Sequence, residues 1–111
     1  GYSRSIEKFL RSLPKCTAIV CCNYVIYRLV RQALEKMGRS VPEDYSLVCF
    51  DYSDENLDQE NITCSVTRSY EMGQELGKRL IRMIENKDCD EKNYSCVMKP
   101  VFHEGNSIRK I

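Results

Sequence analysis

Short apolar runs and stretches with helical spacing alternate along the chain. Residues 17–23 (TAIVCCN) form an apolar run too short for a helix, and this run predicts a strand buried on both faces. Apolar side chains then recur at helical spacing over residues 24–37, with Asn23 at the N-cap and Gly38 at the C′ position. Strand, polar residue and helix together form the unit with which α/β folds hold small ligands.

A second strand of the same kind is predicted over residues 46–50, and Asp51 follows it as Asn23 follows the first. The order helix, strand, helix, strand predicts a parallel sheet with a right-handed crossover. Asn23 and Asp51 would then face one crevice at the carboxyl edge of that sheet. Two simpler interpretations stay open, because Asn23 could be only a helix cap and Asp51 could be a solvated loop residue.

The remaining elements follow from the same patterns. Glycines 73 and 77 lie four residues apart and predict close packing of the last helix on another element. The elements are a first helix that Ser3 or Ser5 caps and Pro14 ends, a third strand over residues 62–67, a helix over residues 70–85 that Ser69 caps, and a strand over residues 94–98 that Lys99-Pro100 breaks.

Composition narrows the class of protein. The 111 residues carry a net charge of +1, so the composition does not indicate the excess of basic residues that is typical of nucleic-acid-binding proteins. No run reaches the roughly 18 apolar residues of a membrane helix. Seven cysteines are an odd number, and Cys21 adjoins Cys22 inside a predicted strand, so we expect reduced, mostly buried thiols in a cytoplasmic protein. With one histidine and no CxxC pair, we expect no metal, no cofactor and no Ser/His/Asp or Cys/His catalytic set.

The stretch from residue 17 to residue 51 resembles the effector-binding region of the lactose/galactose repressor (LacI/GalR) family. TAIVCCN, a helix and GRSVPEDYSLVCFD match the family pattern TA-apolar run-ND, helix, G-x-x-VP-x-D-apolar run-GFD. The later ITCSV, the MG pair and KPVF-x-x-x-x-S also fit, so the resemblance covers nearly the whole chain. Bacterial arabinose repressors are similar over the same region.

The resemblance implies an α/β fold, namely an incomplete, doubly wound parallel-sheet subdomain of the periplasmic-binding-protein-like (type I) fold. Residues 1–111 would be the carboxy-terminal portion of a sugar-binding effector domain, and residues 70–98 would belong to the otherwise missing amino-terminal subdomain. Family members are sugar-responsive transcription regulators, so the expected partners are a sugar or sugar-derived effector and, through a head absent from this chain, operator DNA. We expect no membrane partner.

Asn23 and Asp51 match family positions that contact the effector. Tyr24, which stands where the family has an aspartate, and Thr67 and Arg68, near a further effector contact, are additional candidates. Other departures from the family pattern are Cys49 for a glycine, Tyr52 for a frequent second acid, and Gly105 where many members have an arginine.

The helix that follows Asn23 and the acidic loop before the third strand form part of a two-fold interface in the resembling family. We therefore expect a homodimer or higher oligomer. The expected interface residues are Tyr27, Arg28, Arg31, Asp54, Glu55 and Asp58.

Two other classes of protein are open on the sequence. The first is a soluble or periplasmic sugar-binding transport protein. The second is a small flavodoxin-like or thiol-redox enzyme, which would need an exposed cysteine of low pKa.

Overall fold

A computed structural model describes residues 1–13, 15–53, 60–85 and 95–111. Its helices are α1 (Tyr2–Ser12), α2 (Tyr24–Lys36) and α3 (Ser69–Ile84), and its strands are β1 (Ala18–Cys21), β2 (Ser46–Ser53), β3 (Cys64–Thr67) and β4 (Val101–His103). The strands form one sheet in the order β1-β2-β3-β4. The first three are parallel and β4 runs antiparallel to β3. The predicted α/β class with a mainly parallel sheet is thus confirmed.

Helix α2 has the two ends that the sequence predicts. The Asn23 side-chain oxygen accepts a hydrogen bond from the backbone N–H of Ile26 at 2.9 Å. At the other end Gly38 takes a left-handed conformation with φ of 71°, which costs glycine little. Local chemistry therefore fixes where the helix begins and ends.

One face of the sheet carries the core. Helix α2 packs on β1 and β2 and buries Tyr27, Val30, Ala33 and Leu34, while α1 packs on α2. The opposite face is open in the described chain: Val20 is 72% exposed and Phe50 is 64% exposed. The prediction that the first strand is buried on both faces is therefore wrong.

The carboxy-terminal segment lies between the start of β2 and the residues that precede β3. The backbone N–H of Leu47 donates to the Ser107 carbonyl at 2.9 Å, and the backbone N–H of Asn106 donates to the Asn61 carbonyl at 2.8 Å. The buried Ser107 hydroxyl donates to the Leu47 carbonyl at 2.6 Å and accepts from the Thr63 N–H at 3.0 Å. The segment thus ties β2 to the residues before β3.

Two predicted helix starts need correction. Helix α1 begins at Tyr2 with Gly1 at its N-cap, so neither Ser3 nor Ser5 caps it. Helix α3 takes Ser69 as its first helical residue, and Arg68 occupies the N-cap without a side-chain hydrogen bond. Serine is a common N-cap residue, which is why the sequence suggested these caps. Both helices nevertheless begin at earlier residues than the serines indicate.

The last strand also differs from the prediction. Residues 95–98 are not in a strand, and β4 instead follows the Lys99-Pro100 pair that was expected to end one. Strand β4 forms by pairing with β3, where Phe102 lies opposite Ser65 and His103 lies opposite Cys64. A strand of three residues has too little local signal to be found without its neighbour.

Helix α3 lies apart from the core and buries none of its residues. Leu76 is 67% exposed and Leu80 is 57% exposed. A Cβ added at Gly73 or Gly77 would meet nothing within 4 Å, so the predicted close packing is absent in the described residues. Arg79 holds the helix to the following segment by a 3.1 Å hydrogen bond from Nη1 to the Ser95 carbonyl.

Candidate ligand-binding edge

Polar side chains lie at or near the carboxyl ends of three neighbouring parallel strands, at one edge of the sheet. Asn23 lies just beyond β1, Asp51 lies near the end of β2, and Thr67 is the last residue of β3. Because the carboxyl ends of parallel strands meet at the same edge, the fold gathers these residues as the sequence predicts for Asn23 and Asp51. The prediction placed Asp51 just after its strand, whereas β2 continues through Asp51 to Ser53.

A hydrogen bond joins two of these residues. The Thr67 hydroxyl Oγ1 donates to Asp51 Oδ1 at 2.8 Å, and Asp51 is exposed while Thr67 is half-buried. Asn23 uses its side-chain oxygen to cap α2, which leaves its amide N–H groups available for another acceptor. The edge therefore offers a carboxylate and an amide to a small polar ligand.

Tyr24 is held within the domain on several sides. Its ring meets the buried ring of Tyr52 edge to face, with centroids 5.1 Å apart, and stacks on Tyr27 at 6.4 Å. Burial raises the pKa of Tyr24, and a hydrogen bond to the Glu60 carboxylate raises this pKa further. The two tyrosines that depart from the family pattern thus contact each other.

Arg68 is exposed at the same edge, as the start of α3. Its Nη1 lies 3.4 Å from Glu71 Oε2, one helical turn away. An ion pair this exposed contributes little to stability, so the guanidinium can exchange Glu71 for another partner at low cost.

The three expected interface residues of α2 line a groove of about 460 Å³. The Arg31 guanidinium donates from Nη1 to the hydroxyl of buried Tyr27 at 3.1 Å, and Arg28 is exposed beside them. The other expected interface residues, Asp54, Glu55 and Asp58, lie outside the described residues. The remaining lining residues are Gln32, Glu35, Glu60, Asn61, Ile62 and Asn106.

The family model of the periplasmic binding protein-like domain matches residues 2–107. The chain belongs to this family. No curated protein sequence matches it significantly.

Solved structures share the fold of this periplasmic binding protein-like chain. A LacI-family transcriptional regulator from Corynebacterium glutamicum has a TM-score of 0.81 at 23% identity, with 96% of this chain and 30% of the other covered. A LacI-family regulator from Enterococcus faecium with bound ribose gives 0.81 at 20% identity, with 96% and 39% covered. A regulator of the same family from Arthrobacter sp. FB24, in complex with lactose, gives 0.79 at 19% identity, with 96% and 40% covered. The chain spans 30 to 40% of the length of these three proteins.

Six cysteines of this periplasmic binding protein-like chain are described and all are free. Cys21, Cys49 and Cys64 are buried in register across β1, β2 and β3, whereas Cys22 and Cys96 are exposed, so the expected burial holds only in part. Burial raises the pKa of Cys21 to about 11 and that of Cys49 to about 12. A thiol with so high a pKa is a poor nucleophile, which argues against redox chemistry at these buried positions.

The described part of the chain contains neither a candidate membrane span nor a candidate metal site. Its helices include none that is both long and apolar enough to cross a membrane. Its histidine, cysteine and acidic side chains include no group of three or more that could hold a metal ion.

Sequence patterns did not predict that Thr67 contacts Asp51 or that Glu60 contacts Tyr24. Thr67 lies 16 residues from Asp51, and Glu60 is far from Tyr24 along the chain, so no local pattern joins either pair. The one available signal was the position of Thr67 at the end of a predicted strand neighbouring that of Asp51.

Proposed function

We propose that this chain is the carboxy-terminal part of the effector-binding domain of a sugar-responsive transcription regulator, non-enzymatic and acting in the cytoplasm. Asp51 would accept hydrogen bonds from the hydroxyls of a sugar, and the amide N–H groups of Asn23 would donate hydrogen bonds to sugar oxygens. Tyr24, Thr67 and Arg68 would lie around them. A bound sugar would favour one arrangement of two subdomains, and a dimer would relay this change to DNA-binding heads.

The observation that carries the proposal is the shared edge of Asn23, Asp51 and Thr67 after three parallel strands. Ligands of open α/β sheets bind in the crevice outside the carboxyl ends of the strands. Carboxylate and amide side chains suit the many donors and acceptors of a sugar. Two of the solved regulators of this fold carry ribose or lactose, which supports a sugar as the class of ligand.

The exposed apolar side of α3 supports a second part of the proposal, that residues 70–98 belong to the other subdomain. Leu76, Leu80 and Met83 are 67%, 57% and 41% exposed at helical spacing. Such a stripe normally packs on another layer. We propose that the amino-terminal subdomain supplies the layer on which the apolar stripe of α3 packs.

The test is sugar binding by the regulator that contains this chain, measured by calorimetry with a panel that includes ribose and lactose. We expect Asp51→Ala to weaken binding by about 5-fold to 140-fold, because an unpaired polar group costs about 1–3 kcal/mol. Glu43→Ala is the control, since Glu43 is an exposed acid at the opposite end of β2. Equal affinities for the two variants would contradict the proposed site.

Asn23 needs its own control because it also caps α2. Asn23→Ala should weaken sugar binding and also cost about 1 kcal/mol of helix stability. Asn23→Ser keeps a capping oxygen but has a shorter side chain, so it should preserve the unfolding midpoint and still weaken sugar binding. Normal binding by the serine variant would limit Asn23 to its capping role.

We also propose that the groove beside Tyr27, Arg28 and Arg31 is an interface between two copies of the regulator. The groove carries two arginines and two acids, Glu35 and Glu60, so a two-fold contact could set each cation near an acid of the partner. The acidic loop with Asp54, Glu55 and Asp58 adjoins Glu60 in the sequence and would add to this attraction.

Light scattering at tens of micromolar tests the interface. We expect a dimer, and Arg31→Glu should weaken it at least about 10-fold because like charges across a contact cost several kcal/mol. Arg4→Glu is the matched control, since Arg4 is an exposed arginine on α1. A clean monomer in the unaltered protein, or equal effects of the two reversals, would rule out this interface.

A further inference from the structure

We propose that Thr67 is a positioning residue that holds the Asp51 carboxylate in its ligand-binding orientation. The inference rests on the proposed function of Asp51 and goes beyond it, because it assigns Thr67 a role on the protein side of the site. The observation is the 2.8 Å hydrogen bond from Thr67 Oγ1 to Asp51 Oδ1.

An irregularity in β2 directs Asp51 toward solvent. Cys49 pairs with Cys64 and Tyr52 pairs with Val66, so β2 has three steps where β3 has two. In a regular strand Asp51 would share the buried face of Cys49, because side chains alternate. Here Cys49 is buried, Phe50 and Asp51 are both exposed, and Tyr52 is buried again. Bulges of this kind re-aim a side chain.

The bulge disrupts the ladder beside Asp51, and the Thr67 hydroxyl gives the re-aimed Asp51 side chain a hydrogen-bond partner. Thr67 lies opposite Ser53 at the end of β3 and reaches across to Asp51 with its hydroxyl. Threonine is stiff about χ1 because its Cβ is branched, so its hydroxyl is a better-fixed donor than that of serine. The contact therefore restricts Asp51 to one rotamer before a ligand arrives.

The hydrogen-bond capacities agree with this assignment. A hydroxyl has one proton to donate, and Thr67 directs it to Asp51, so it cannot also donate to a ligand. An ionised carboxylate has about four acceptor sites. The bond from Thr67 occupies one of them, on Oδ1, and the exposed Asp51 side chain can offer others to ligand hydroxyls. Asp51 is thus the binding group, and Thr67 fixes its direction.

NMR tests the orientation without any ligand. The Hα–Hβ couplings of Asp51 should report one dominant rotamer in the unaltered chain and an averaged value in Thr67→Val, which keeps the shape and removes the hydroxyl. Thr67→Ser, which restores the donor, should recover most of the single-rotamer value. Unchanged couplings in Thr67→Val would overturn the proposal, whatever the protein binds.

A double-mutant cycle tests the consequence for binding, with D-ribose as the calorimetric probe and the regulator that contains this chain. Thr67→Val should lower affinity by about 2-fold to 12-fold, the value of one hydrogen bond, and should have no effect in the Asp51→Ala background. An equal loss in both backgrounds would overturn the positioning role. Failure of the unaltered regulator to bind ribose would exclude ribose as its ligand, and the couplings would then decide on Thr67 alone.

Discussion

Gly105→Ala should destabilise the domain by about 3 kcal/mol, the upper end of the usual cost of overpacking. A Cβ at this position would meet the Asn61 carbonyl oxygen and the Ile62 carbonyl carbon inside van der Waals contact, and would lie 2.7 Å from the Asn61 carbonyl carbon. All three atoms belong to the backbone, so no side chain can turn away to make room.

A small backbone shift cannot relieve the clash, because hydrogen bonds hold residues 105–106 against residues 61–63. The Gly105 N–H donates to Thr63 Oγ1 at 3.1 Å, and the neighbouring Asn106 N–H donates to the Asn61 carbonyl at 2.8 Å. Separating the segments enough for a methyl group would break these bonds. The close approach therefore leaves no room for a side chain at position 105.

Urea denaturation of the variants measures this effect. Gly77→Ala is the matched control, because nothing lies within 4 Å of its added Cβ and alanine favours the helix by about 0.8–1 kcal/mol. We expect the midpoint to fall sharply for Gly105→Ala and to stay or rise for Gly77→Ala. Equal midpoints for the two variants would show that the segments do not approach as closely as described.

Ser107→Ala should cost about 2–4 kcal/mol, because it removes the partner of two backbone groups at once. Ser107 is 2% exposed, so water cannot replace its hydroxyl without a rearrangement. The Thr63 N–H would lose its acceptor, and the Leu47 carbonyl would lose its donor. The carbonyl suffers less than the N–H, since it has two lone pairs.

Ser12→Ala separates burial from the hydrogen bond itself. The Ser12 hydroxyl also donates to a carbonyl at 2.6 Å, that of Phe9, but in an exposed position where water can take over. We expect the free energy of unfolding of this variant to change by less than about 0.5 kcal/mol. A similar loss in both variants, measured by the same denaturation, would contradict the role of Ser107 as a buried link.

The sequence by itself determined the elements whose cause is local. The hydrogen bond of Asn23 and the left-handed turn at Gly38 depend on residues within one helical turn, so α2 could be placed nearly to the residue. The apolar runs that became β1 and β2 were equally visible, and with the helix between them they predicted parallel pairing. From that pairing followed the shared edge of Asn23 and Asp51.

Only the tertiary structure decided which groups meet across that edge and which faces are covered. The bulge that exposes Asp51 arises from the register between β2 and β3, and the bond from Thr67 depends on it. β4 exists because β3 offers it a pairing edge, and α3 stays exposed because the described chain brings no second layer against it. Each of these outcomes rests on contacts between residues distant in sequence, which periodicity and capping patterns do not encode.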